Sequence, residues 1–102
     1  MDESFIALRV AKLRIQKNVS AREMSLAIGQ AENYINTIEN GKSLPSIPGL
    51  FYICEYLGVT LSEFFDEENT DPTLLGEVVR QLKPLSPEKL RAILALTDPN
   101  QR

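Results

Sequence analysis

The chain has 102 residues, of which 43% are hydrophobic and 25% charged, and a formal net charge of −3. That length holds one small domain with an appendage, and the composition is that of a soluble globular protein. No apolar run is long enough to span a bilayer, and with no histidine and one cysteine, metal sites, disulfides and Ser-His or Cys-His catalysis lose their usual groups. The acidic residues form no paired-carboxylate arrangement, so no enzymatic role, cofactor, metal or small-molecule ligand is expected. The opening "MDESFIALRV" lacks the basic and apolar regions of a signal peptide, so a cytoplasmic location is expected. Cys54, in "GLFYICEYLG", reads as a buried, inert thiol.

In chain order, Ile6, Val10 and Leu13 recur at helical spacing and predict a first amphipathic helix over 5–17, with Arg9, Lys12 and Gln16 on its other faces. "VSAREM" then carries two start signals at once. Ser20 and Glu23 form a capping box, and Val19 with Met24 have the spacing of a hydrophobic staple. The second helix is expected over 21–28, stopping at Gly29. A third, over about 31–39, turns Ile35 and Ile38 inward and closes at Asn40-Gly41. After "KSLPS" a fourth runs over 47–57 and ends at Gly58. Thr60 and Glu63 form a second capping box for a fifth, with Val59 and Phe64 at staple spacing. No alternating strand pattern is present.

The charge run "DEENTD", 66–71, is the best linker, which divides the chain into 1–68 and a helical segment 69–102. Asp71-Pro72 and Ser86-Pro87 each set a capping residue before a proline suited to the first helical position. The first C-terminal helix presents Leu75, Val78, Val79 and Leu82, and the second Leu90, Ile93 and Leu94. These stripes need cover, from each other, from the main domain or from a second subunit; the last would make 69–102 the dimerisation element, with the surface around the fourth and fifth helices as the alternative.

Charge is unevenly spread. Between Arg9 and Lys42, six cations (Arg9, Lys12, Arg14, Lys17, Arg22, Lys42) stand against three anions (Glu23, Glu32, Glu39), a local +3 inside a negative chain. Two short helices joined at Gly29 make a helix-turn-helix, with Ser25 as the small residue where they touch. Met24, Ile28, Ile35 and Ile38 fill the wedge between them.

With "VSAREMSLAIG", "YINTIENGK" and "LGVTLSEFF" in place, residues 6–65 resemble the phage lambda repressor/Cro type of helix-turn-helix domain, the XRE family. The resemblance implies an all-α, five-helix, lambda-repressor-like DNA-binding domain, followed here by one or two short C-terminal helices. It implies that the third helix reads DNA, with Glu32, Asn33 and Thr37 toward base edges and Asn36 toward the backbone or groove wall. Asparagine can pair bidentately with adenine, glutamate can accept from the cytosine amino group, and threonine can pack on a thymine methyl. Ser20, Arg22, Asn40 and Lys42 lie where family members touch phosphates, with Arg9 and Lys17 as weaker candidates. Arg14 and Glu39 are implied to form a structural ion pair between the first and third helices. Tyr34 reads as packing more than as a phosphate contact, and Phe51, Tyr52, Tyr56, Phe64 and Phe65 as core and rim residues.

This sequence departs from the family at Ala21, where glutamine often contacts DNA, and at Ala31, where a hydroxyl often caps the third helix at a value of about 1 kcal/mol. The expected function is a sequence-specific transcriptional regulator, most simply a repressor. Its partner is double-stranded DNA, bound as a homodimer on an inverted-repeat operator. The competing expectation is an interaction module, antitoxin-like or an anti-repressor adaptor, that keeps the fold without DNA binding. The acidic balance, Glu32, Ala21 and Ala31 support it; the polar outer face of the third helix opposes it.

Overall fold

The computed structural model describes residues 2–97, and every regular element among them is helical. α1 (Glu3–Lys17), α2 (Ala21–Ala27), α3 (Tyr34–Glu39), α4 (Ile47–Leu57) and α5 (Leu61–Phe64) are followed by α6 (Pro72–Leu82) and α7 (Pro87–Thr97). The chain separates into two compact units, one ending at Pro72 and the other starting at Thr73.

Local chemistry sets the helix ends of the first unit. α1 begins earlier than its apolar periodicity predicts, because the Asp2 carboxylate accepts from the Ser4 amide at 2.9 Å and caps the helix. Asn18 closes it in the left-handed conformation (φ 61°). Both capping boxes form: Ser20 with Glu23, and Thr60 with Glu63, each hydroxyl accepting an amide while the glutamate returns to the cap. Ser46 caps α4 by accepting from the Gly49 amide at 3.1 Å.

The core of this unit gathers Val10 and Leu13 of α1, Met24 of α2, Ile35 and Ile38 of α3, Leu50, Ile53, Cys54 and Leu57 of α4, then Val59 and Phe64. Phe5 stacks on Phe65 at 5.9 Å and meets Phe64 edge-on at 6.3 Å, sealing α1 against α5. Burial pushes the Cys54 thiol up from its ordinary range, which keeps it neutral and unreactive.

Arg9 corrects the sequence reading. It is not a surface cation but is buried, at 5% exposure. Its Nε donates to the Phe64 carbonyl at 2.7 Å, and its Nη2 to those of Glu63 (2.7 Å), Asn69 (2.8 Å) and Asp66 (3.2 Å). The guanidinium thus gathers four carbonyls at and beyond the end of α5; those of Glu63 and Asp66 also accept backbone amides, so it fills acceptor capacity that the helix terminus leaves over. Gln16 adds a bond from Nε2 to the Thr70 carbonyl at 2.9 Å. The run 66–71, expected as a linker, keeps its acidic side chains largely outward, but α1 holds its backbone.

Prolines open both α6 and α7 as expected, and the Ser86 hydroxyl caps α7 by accepting from the Lys89 amide at 3.3 Å. Leu75, Val78 and Val79 stand 40–51% exposed, and Leu94 is exposed too, while Leu82, Leu90 and Ile93 are partly covered. No helix among the described residues is long and apolar enough to cross a membrane.

Arg9→Met is expected to destabilise the protein by about 3 kcal/mol in urea unfolding, because several carbonyls lose a charged donor at once. Arg9→Lys should recover only part of this, since an ammonium lacks the planar fork.

Candidate nucleic-acid interface

α2 and α3 cross closely, and a hydroxyl sits at the crossing. Ser25 is fully buried; its Oγ donates to the Ala21 carbonyl at 2.7 Å and accepts from the Ile35 amide at 3.0 Å. From the sequence, Ser25 reads only as the small residue the crossing needs. Here it also satisfies a first-turn amide of α3 that no local cap reaches, for the residue before the helix, Asn33, makes no side-chain capping bond. Gly29 (φ 78°) turns the chain between the two helices, a conformation costly for a residue with a Cβ.

α3 is shorter than expected. It begins at Tyr34 and not near residue 31, so Glu32 and Asn33 lie in the turn ahead of it. The absent hydroxyl at Ala31 is consistent with this later start.

The far end of α3 is anchored by charge. Arg14 Nε meets Glu39 Oε2 at 2.7 Å and Nη2 meets Oε1 at 2.9 Å, a bidentate pair at 17% and 11% side-chain exposure. Arg14 Nη1 also donates to the Val19 carbonyl at 2.8 Å, so one guanidinium ties α1, the turn before α2 and the end of α3 together. The bond to Glu39 pushes the Arg14 pKa up from an already high value. A raised cation pKa stabilises the fold at all pH below its unfolded value, so the pair is held throughout the neutral range.

Between these two anchors, α3 turns its polar side outward. Glu32, Asn33 and Asn36 are exposed, and neither asparagine side chain hydrogen-bonds to another described residue. Thr37 is half-buried, its hydroxyl donating to the Asn33 carbonyl at 2.8 Å, which leaves its methyl and an oxygen lone pair for other contacts. Around this face Ser20, Arg22, Asn40 and Lys42 are all exposed. Arg22 Nε lies 3.1 Å from Glu32 Oε2, with both side chains about two-thirds open.

The weaker phosphate candidates are engaged elsewhere. Arg9 is in the interior, and Lys17 lies over the Tyr56 ring at 5.2 Å from its centroid. Tyr34 packs at the start of α4: a Cβ added to Gly49 would come within 2.6 Å of its hydroxyl oxygen, and burial pushes its phenol up.

Ile47, Phe51 and Tyr52 of α4 stand 51–70% exposed, where core or rim positions are expected for both aromatics. The signal was available in "IPGLFYICEYL", which is apolar around more of the helix than one buried stripe uses.

A short helix pinned at both ends, polar outward and set across its predecessor at a glycine turn, defines a helix-turn-helix. The helix-turn-helix family model HTH_3 matches residues 10–64, more than half of the chain, and the chain belongs to this family, the lambda repressor-like or XRE type. It is a DNA-binding helix-turn-helix regulator. Neither the curated proteins nor the solved structures gave a match.

Ser25→Ala should cost about 1–2 kcal/mol in thermal or urea unfolding, since it leaves the Ile35 amide buried without an acceptor. Hydrogen exchange should locate the effect, with the Ile35 amide losing more protection than amides of α4.

Proposed function

We propose that the protein is a transcriptional repressor that binds an inverted-repeat operator as a homodimer and acts by occluding the promoter. Each α3 enters a major groove, and the two grooves lie about 34 Å apart on one face of the duplex. The observation that carries this reading is the outward face of α3 and the turn ahead of it, where the side-chain amides of Asn33 and Asn36 are exposed and bond to no other described residue. Asn33 and Thr37 read base edges, and Asn36 meets the groove wall. Ser20, Arg22, Asn40 and Lys42 supply sequence-independent phosphate contacts, which allows a recognition helix without a cation of its own.

One such domain makes few contacts, so tight specific binding calls for two. Leu75, Val78 and Val79 support α6 as the dimer element, because an amphipathic helix with its apolar stripe this open leaves area to be covered. Leu82, Leu90, Ile93 and Leu94 extend that apolar set along α6 and α7.

A second reading has its own support. The exposed Ile47, Phe51 and Tyr52 of α4 are the apolar and aromatic anchors a protein-docking surface uses, which favours an antitoxin-like or adaptor module on the same fold.

Selection from a random duplex library with purified protein decides between them. The repressor reading expects an enriched inverted repeat with half-sites about one helical turn apart, and Asn33→Ala relaxing one position in each half-site. Failure to enrich any sequence even at low salt, where phosphate attraction is strongest, would favour the docking module. Separately, Val78→Glu should convert a dimer to a monomer in sedimentation equilibrium while leaving helical circular dichroism unchanged.

A further inference from the structure

The Arg22–Glu32 pair joins two residues whose separate roles conflict. A carboxylate facing DNA is repelled by the phosphates, and a guanidinium that reaches for a phosphate must be held in place on a long, flexible stem. In the structure Glu32 Oε2 accepts from Arg22 Nε at 3.1 Å. The contact spans from the first turn of α2 to the turn ahead of α3. It occupies one of the five N–H donors of the guanidinium and leaves the terminal Nη1 and Nη2 edge open, on a side chain that is 70% exposed.

We propose that the two residues act as one unit: Glu32 is a positioning residue that aligns the Arg22 guanidinium, and Arg22 presents its Nη edge to a DNA phosphate. This deepens the DNA-binding reading and rests on it, but changes the role of Glu32, which then reads no base. The pair also cancels the Glu32 charge locally, so the turn before α3 approaches the backbone without an uncompensated anion. Phosphate is the fitting acceptor, since a guanidinium with its terminal edge free meets phosphate oxygens bidentately. The pair further accounts for how the domain works with alanine at position 21: the neighbouring Arg22, steadied from the turn ahead of α3, provides the backbone contact at the start of α2.

The proposal makes a prediction of sign. Removing a negative charge beside DNA ordinarily tightens binding. If Glu32 aligns Arg22, Glu32→Ala weakens binding instead, by about three- to fivefold, the scale of an exposed ion pair. The loss falls equally on all operator variants. In an Arg22→Ala background, the same Glu32→Ala change tightens binding, because only the repulsion is left to remove. Arg22→Ala alone lowers the salt slope of log K by about one, as loss of one phosphate contact does.

The test is a double-mutant cycle of Arg22→Ala and Glu32→Ala. Affinities are measured by fluorescence anisotropy over a range of salt concentrations, on the selected duplex and its single-base variants. Both side chains are exposed, so the variants are expected to keep the wild-type circular dichroism. A loss confined to one base-pair position would make Glu32 a base reader and overturn the proposal. So would an affinity gain in Glu32→Ala with Arg22 present, or additive effects in the cycle. Wild-type protein that binds no duplex would overturn the DNA-binding reading itself, which separates that failure from failure of the pair.

Discussion

The Ser25 hydroxyl, enclosed between the Ala21 carbonyl and the Ile35 amide, governs how α3 leaves the domain. A larger side chain would push α2 and α3 apart, and a residue without a hydroxyl would leave a first-turn amide of α3 buried and unpaired. Serine satisfies both demands, because its oxygen bonds back into its own helix and forward into the next. α3 has only six residues, too few to be stable alone, so its direction is inherited from this contact and from the Arg14–Glu39 pair at its other end. Fixing both ends frees the middle: Ile35 and Ile38 face the core, and Asn33 and Asn36 face out.

The same division of labour runs through the cations of the first unit. Arg9, Arg14, Lys17 and Arg22 are alike in sequence, yet each does something different. Arg9 closes carbonyls at the end of α5, Arg14 ties three segments to α3, Lys17 covers an aromatic ring, and Arg22 stands on the surface beside Glu32. The local +3 therefore overstates the charge presented to DNA. Arg22 and Lys42 remain at the face of α3, and Arg22 is already shared with a carboxylate. On the reading proposed above, contacts from the asparagines then matter more to binding than bulk attraction does.

Much of the fold was legible in the sequence because its signals are local. Capping boxes at Ser20 and Thr60, the apolar spacing of Val10 and Leu13, and the left-handed glycines 29 and 58 each depend on residues within a turn of one another. The readings that needed correction depend on distant partners. Arg9 reads as a surface cation until the carbonyls of residues 63–69, more than fifty positions away, fold onto it. Ser25 reads as a spacer until the Ile35 amide arrives. The late start of α3 is half legible: Ala31 shows that a local cap is missing, but the acceptor that replaces it, Ser25 Oγ, lies on α2, out of reach of any local reading. At the face of α3, the residue types and their exposure were legible, but the pairing of Arg22 with Glu32 was not, because it joins two elements whose crossing angle the sequence does not state.

We infer that the outer face of α3, held between Ser25 and Glu39, meets DNA. Backbone amide shifts of isotopically labelled protein, followed as a selected duplex is added, put this to the test. The changes should concentrate at 20–22, 32–37 and 40–42, with α4 near Phe51 and Tyr52 little affected. Shifts confined to 47–56, or none under low-salt conditions, would contradict it.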